Sequence, residues 1–506
     1  MNKRLLVGCA LMLSLSTVLG CAKQNEGGSS PKKAGDAAES ANELSEKLTI
    51  NWMAQAFQGG GWPDDHPMIQ ELNKKFNVDL KIQWVPSANY KEKLNVVAAS
   101  NDFPDVFYIT FPEFNRWKNQ GLFYDIKPVI SNYPNLAKIP EGPLNNLNPK
   151  GKILSLPYYL TEARDSYAVR EDWLKKLGLS SPKTVDEFYE MAKAFATKDP
   201  DGNGKQDTIG FSFYIDSTAN VIRDIEFIQA GFGLWNQWKE VDGKLVSYQT
   251  QVEEWKNFLT FMHKAYNEGV LDKDFGVNKI RSTIDKFESN KVGFSIVNPN
   301  DYNNTINNIR KLVPTATIAQ VEPPKGPTGL TASPTFDMLH KQVINAKIDE
   351  KKKRRILMML DYFISPEGSD FIKHGIEGVH FKKISDDKYE KLEAADKDRQ
   401  NLINNWIFRP FDPGIQMYKW EDPAYHKTMR DMFDLNAKYK WVNPAAGLES
   451  ETMNKSGANL NVKFMETVSK IIMGREPVSA IEKASADWLA GGGNKIIEEI
   501  NKAYKE

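Results

Sequence analysis

Asp199, Asp201, Asn203, Lys205 and Asp207 stand at alternate positions in Asp199-Pro-Asp-Gly-Asn-Gly-Lys-Gln-Asp207. Side-chain oxygens at every second residue, Gly204 at the sharp bend and a backbone carbonyl from Lys205 form the donor pattern of an EF-hand-type calcium loop. The twelfth position, where such loops carry a bidentate glutamate, is Gly210. One ligand is therefore missing, and modest affinity is expected, of the order that suffices for extracellular modules. Asp, Asn and Gly also build solvated turns, which need no metal. The expectation is a calcium ion in a structural role, since no flanking helix pair suits a sensor.

The second group that could do chemistry is aromatic. The chain has 12 Trp, 18 Tyr and 26 Phe, too many for all to be surface platforms, so most belong to cores. Periodicity assigns Trp84, Trp173, Trp255 and Trp488 to buried faces. Trp62, Trp235, Trp238, Trp406, Trp420 and Trp441 sit instead among Gly, Pro and polar residues. An exposed indole covers the apolar face of a sugar ring, while Asp, Asn, Gln or Arg bond its hydroxyl edge. Ligands of open α/β sheets bind beyond the carboxyl ends of the strands. That rule brings forward Phe57–Asp65, Thr110–Glu113 and Asn298–Asp301. The candidate contacts are thus Phe57, Trp62, Asp64, Glu113, Trp235, Trp238, Asn298, Trp406 and Trp420.

Other chemistries find little support. Gly59-Gly-Gly61 is followed by Trp62-Pro63 and not by the Lys-Ser/Thr of a phosphate loop. The six His are scattered without H-E-x-x-H spacing, and no G-x-S-x-G elbow is present. Gly491-Gly-Gly493 reads as a break between helices. Lys351-Lys-Lys-Arg-Arg355 reads as the solvated start of a helix, with contact to anionic lipid or wall polymer as the alternative.

These groups must be held by a large fold. The chain has 506 residues with 66 basic and 66 acidic side chains. Such a balance argues against nucleic acid as a partner, because phosphate backbones are met by a basic surplus. Lys3 and Arg4 precede an apolar run from Leu5 to Leu19, the form of a secretory signal. The run is shorter than the ~20 residues that span a bilayer. It closes on Val18-Leu19-Gly20-Cys21, which resembles a bacterial lipobox, with Cys21 as the acylated first residue of the mature chain. Acyl chains would then hold the protein at a membrane surface. Cys9 leaves with the signal, so the mature fold has no disulfide. Residues 21–47, with Glu26-Gly-Gly-Ser-Ser-Pro31, read as the lipidated cysteine and a flexible linker after a signal at 1–20.

From Leu48 onward the pattern is strand, helix, strand, helix, strand: 48–54, 68–76, 78–84, 90–99 and 106–109. This is the βαβ order of a parallel sheet. Further strands are expected at 151–157, 166–170, 292–297 and 316–321. Helices are expected over 170–178, stopped by Gly178, over 184–197, opened by a Thr184-x-x-Glu187 capping box, and over 253–268 and 351–364. The C-terminal third reads as mostly helical, ending in 477–489 and 494–504.

Asn101-Asp-Phe-Pro-Asp-Val-Phe resembles the Pro-Asp-Val signature of extracellular solute-binding proteins. Arg170-Glu-Asp-Trp-Leu-Lys-Lys-Leu-Gly-Leu, Pro182-Lys-Thr-Val-Asp-Glu-Phe, the Asp199–Asp207 run and Glu377-Gly-Val-His380 together resemble oligosaccharide-binding lipoproteins of solute-binding family 1, of the alginate-oligosaccharide-binding type. The resemblance covers essentially the whole mature chain. It implies an α/β, type II periplasmic-binding-protein-like fold of two discontinuous lobes joined by crossover hinges near Thr161, Val321 and Arg409. Lobe 1 would be 48–160 plus 322–409, and lobe 2 would be 161–321 plus 410–506. It implies a monomeric, membrane-anchored extracellular protein, palmitoylated at Cys21, that hands a carbohydrate to the permease of an ABC importer and catalyses nothing. It adds Glu377 to the candidate contacts. In that family an acid often follows the last Asp of the calcium loop, where this chain has Thr208. The alternative reading is a surface-tethered glycoside hydrolase or polysaccharide lyase, which would need two carboxylates flanking the scissile bond.

Overall fold

The computed structural model describes residues 44–56, 61–86, 89–141, 144–145, 148–149, 151–157, 164–216, 221–335, 341–404 and 417–505. Residues 47–506 form one compact unit. Phe57, Trp406, Cys21 and the expected crossings at Thr161 and Arg409 lie outside the described residues.

Eight strands build two principal sheets: β1 (Leu48–Ala56), β2 (Val78–Pro86), β3 (Val106–Ile109), β4 (Leu156–Pro157), β5 (Ser166–Arg170), β6 (Phe294–Val297), β7 (Ile318–Val321) and β8 (Lys341–Ile344). The first sheet has the order β2-β1-β3-β8-β4. Its first three strands are parallel, as the βαβ spacing predicts, and β8 runs antiparallel to both β3 and β4. Ile50, Trp52 and Ala54 point to one face, with the helices 67–76 and 350–363; Met53, Phe107 and Val343 point to the other, with Tyr90, Leu94 and Phe114. A parallel sheet covered on both faces needs apolar side chains of both parities.

The second sheet has the order β6-β5-β7, with β5 antiparallel to both neighbours. Tyr167 and Val169 enter a large aromatic core with Trp173, Phe188, Trp255 and Trp488, while Ala168 faces a smaller cluster with Ile309 and Ile318. Local signals are obeyed closely here. Thr184 Oγ1 accepts from the Glu187 amide at 3.1 Å, and Gly178 takes a left-handed φ of 65° to end the helix 171–177.

Two distributions differ from the sequence expectation. After β7 the chain does not leave at once: Lys325 exchanges backbone bonds with Lys183 and Val185, and Thr328 bonds Gly231, so 323–331 stays on the second core. Tyr418 and Trp420 pack with the first core, beyond the expected crossing at Arg409. Three short hairpins were also not expected, at 214–216/221–223, 238–241/244–247 and 381–385/388–391. The middle one turns on Asp242-Gly243, both at positive φ, the dipeptide that favours a tight hairpin.

The basic run 351–355 is not a free basic face. Arg355, 1% exposed, donates to the carbonyls of Phe76 and Asn77, completing the end of the helix 67–76. Lys352 pairs with Asp105 at 3.0 Å and Lys353 with Glu350 at 2.7 Å.

Candidate functional site

The loop after the helix 185–197 brings its acids to one locus. Asp199 accepts from the amides of Gly202, Asn203 and Gly204, which wraps the backbone around its carboxylate. The Asn203 amide nitrogen donates to Asp201 Oδ2 and to Asp207 Oδ1, 2.9 Å each. A donor thus stands between two carboxylates where a cation would stand in a filled loop. Asp201 is pushed above the usual carboxylate range, first by burial and then by Asp199 and Asp207 nearby. Among the described residues no group of three His, Cys, Asp or Glu is arranged as a ready metal site. Lys291 competes, with its Nζ 2.9 Å from Asp207 Oδ2.

Glycine at the twelfth position has a steric cause. A Cβ on Gly210 would lie 2.5 Å from the Ala192 carbonyl oxygen and 2.7 Å from that of Val270. No side chain fits there. Thr208, where an acid is common, is buried and donates to the Phe195 carbonyl at 2.7 Å.

The strand exits carry the second candidate group. Glu113 follows β3 in the first turn of the helix 111–117 and is 1% exposed. One carboxylate oxygen accepts from the Thr110 hydroxyl; the other has no partner among the described residues. Asn298 follows β6 and accepts from the Asn300 amide at 2.9 Å. It lines a cavity of about 400 Å³ with Arg164, Asp165, Asp301, Asn304 and Asn308. Arg164 and Asp165 pair through two bonds of 3.0 and 2.9 Å. Burial, then the nearby Asp165, raises Asp301. Asn304, Asn308, Arg164 and Asp165 were not expected; the Asn-rich stretch directly after β6 is the signal that marks the two asparagines, while Arg164 and Asp165 precede β5 without one.

Trp235 is half-buried, with the Lys239 ammonium 4.9 Å from its ring centre. Trp235 packs against the second core and does not line that cavity. Trp62 is 4% exposed, stacked on His66 at 4.5 Å and edge-on to Trp84 at 6.3 Å. Trp238 is 6% exposed in the second core, because its strand position points inward. Neither has a free ring face, which corrects the expectation for both. Trp420 stacks on Tyr418 at 4.8 Å, against His374. Asp64 pairs with Lys81 at 2.9 Å beside Asn51 and Pro104, near the amino ends of the strands. Glu377 is exposed in a groove with Lys75, Tyr362 and Phe371. Neither acid is at a strand exit, so these residues are not gathered at one place.

His66 and His380 share one carboxylate, with Nε2 3.2 and 3.1 Å from Asp398 Oδ2. Their Nδ1 atoms accept from the Met68 and Ile376 amides, so Nε2 carries the proton in each. This ties Trp62 and the helix 67–76 to the helix 393–404.

A family model described as bacterial extracellular solute-binding protein matches residues 63–369. The chain belongs to that family. It is 29% identical, over its whole length and 99% of the relative, to the polygalacturonan/rhamnogalacturonan-binding protein YtcQ of Bacillus subtilis (strain 168). It is 28% identical to the lipoprotein LipO of the same organism, over 92% of this chain and 95% of the relative. The alginate-binding protein AlgQ2, solved without calcium ion, superposes with a TM-score of 0.65 at 20% identity, covering 92% of this chain and 99% of that one. An EF-hand mutant of the S. pneumoniae substrate-binding protein FusA, in complex with fructo-nystose, gives 0.67 at 21%, covering 90% and 99%. The fold is therefore the two-lobed, type II periplasmic-binding-protein-like α/β fold expected from the sequence. This solute-binding family is not a family of enzymes. No helix among the described residues is long and apolar enough to cross a membrane.

Proposed function

We propose that this solute-binding protein is a lipid-anchored receptor that captures an oligosaccharide between its lobes and passes it unaltered to an ABC permease. The observation that carries the reading is the pair of strand exits. The amide- and carboxylate-lined cavity at Asn298 presents hydroxyl-binding groups beyond β6, and Glu113 lies buried in the first turn beyond β3, the ends at which open α/β sheets take ligands. Trp235 supplies an aromatic surface. The names of YtcQ and FusA support a carbohydrate, and LipO supports a lipid anchor at Cys21. The working contacts are Glu113, Arg164, Asp165, Trp235, Asn298 and Asn304.

The lobes in this reading are 48–156 with 341–420 and 164–335 with 421–505, joined by the segments between. A ligand that binds the closed arrangement better than the open one shifts the population toward a form the permease reads. Calcium, held by Asp199, Asp201, Asn203, the Lys205 carbonyl and Asp207, would brace the second lobe outside the ligand site.

The test is a panel of neutral and acidic oligosaccharides read by melting temperature, followed by analysis of the recovered sugar. A rise in melting temperature with intact sugar supports the reading. Shortened sugar favours the hydrolase or lyase, and no shift with any member removes carbohydrate as the ligand class.

A further inference from the structure

Lys118 follows the helix 111–117, whose Phe114 and Trp117 belong to the first lobe's core. Glu449 follows Leu448, which packs on the second lobe's core. Their Nζ and Oε1 atoms are 3.0 Å apart, so the ion pair spans the two lobes. It is not a chance meeting of long side chains. Glu499, on the helix 494–505 of the second core, accepts from the Ser450 hydroxyl at 2.5 Å and from the Thr452 amide and hydroxyl at 2.9 Å each. Three bonds thus fix the backbone that presents Glu449.

A third charge lies behind the pair. Lys341, the first residue of β8, is fully buried, with its ammonium 4.0 Å from the Phe114 ring centre. Both Lys118 and Glu449 act on it electrostatically, the first opposing its charge and the second favouring it. The Lys118 side chain is largely shielded, at 16% exposure, while that of Glu449 reaches solvent at 36%, so drawing Glu449 away removes the counter-ion of a mostly covered ammonium. An exposed ion pair contributes little; a carboxylate that offsets two cations near a buried site is costly to withdraw.

We propose that Glu449 is an interlobe latch, a counter-ion on the second lobe for Lys118 and Lys341 of the first, which biases the protein toward the arrangement with the lobes in contact. This rests on the two-lobed fold and not on the identity of the ligand. The test therefore uses the ligand-free mature protein lacking Cys21, which has no native thiol. Spin labels at Val96→Cys and Val277→Cys, both on exposed positions of opposite lobes, report the interlobe distance. Glu449→Gln is expected to raise the population at the longer distance about threefold or more. In a Lys118→Met/Lys341→Met background the same substitution is expected to change the distribution far less. Lys427→Met, which breaks an exposed pair with Asp431, is the control and is expected to be silent. An unchanged distribution in Glu449→Gln, or an equal shift in both backgrounds, would overturn the latch.

Discussion

Gly210 presses its α-carbon against the carbonyl of Ala192, leaving only 2.5 Å for a β-carbon. The close packing of these two backbones deletes the bidentate ligand that would complete a calcium loop. Calcium is expected to raise the melting temperature of the wild type only at sub-millimolar to millimolar concentration. Asp201→Ala should lose that increment. Lys291→Met, which frees Asp207 from its ammonium partner, should shift the response to lower calcium. Identical melting of wild type and Asp201→Ala at every calcium level would remove the metal.

Trp235 and Trp238 are three residues apart and have opposite fates. Trp238→Ala empties part of the second core and should cost ~3–5 kcal/mol in chemical denaturation. Trp235→Ala should cost far less stability and weaken oligosaccharide affinity roughly tenfold in calorimetry. Unchanged affinity would take Trp235 out of the ligand site.

His66 and His374 are both held below their ordinary pKa, chiefly by burial. Each therefore binds fewer protons in the folded than in the unfolded chain just below pH 6.5, and stability must fall as the pH drops through that range. The urea midpoint should be lower at pH 5.5 than at pH 7.5. His66→Gln should flatten that difference, since its amide can still donate to Asp398. An equally steep fall in His66→Gln would assign the loss to other groups.

Lys341 is pulled down to about 7, first by burial and then by Lys118. A lysine with a lowered folded pKa costs stability wherever the unfolded chain is protonated, and the full cost is present below about pH 7. Lys341→Met should therefore raise the melting temperature at pH 6.5, with a gain that shrinks steadily toward pH 10. A gain independent of pH would mean that packing, not charge, is the cause.

The first lobe's parallel core was legible because alternation at Leu48–Ala54 and Val78–Trp84 and the helix periods between them are local signals. Thr184 and Gly178 marked helix ends for the same reason. The Asp199–Asp207 loop was legible as a cluster of oxygen donors because its spacing is local, and the structure does bring Asp201, Asn203 and Asp207 together. The ligand contacts were mostly not legible. Whether Trp62 or Trp238 shows a ring face depends on what packs over it, and His66, Trp84 and the second core are distant in sequence or set by tertiary contact. The Asp242-Gly243 turn did carry a local sign that Trp238 begins a hairpin strand. Glu449 and Lys118 are 331 residues apart, and nothing in either neighbourhood announces the other.

The claim on which the rest depends is capture of an unaltered carbohydrate between two lobes. Small-angle scattering of the mature protein, with and without each oligosaccharide that raises its melting temperature, tests it most directly when the sugar is then recovered and sized. The account predicts a smaller radius of gyration on binding and a sugar of unchanged length. An unchanged radius with every such sugar, or a shortened product, would contradict it.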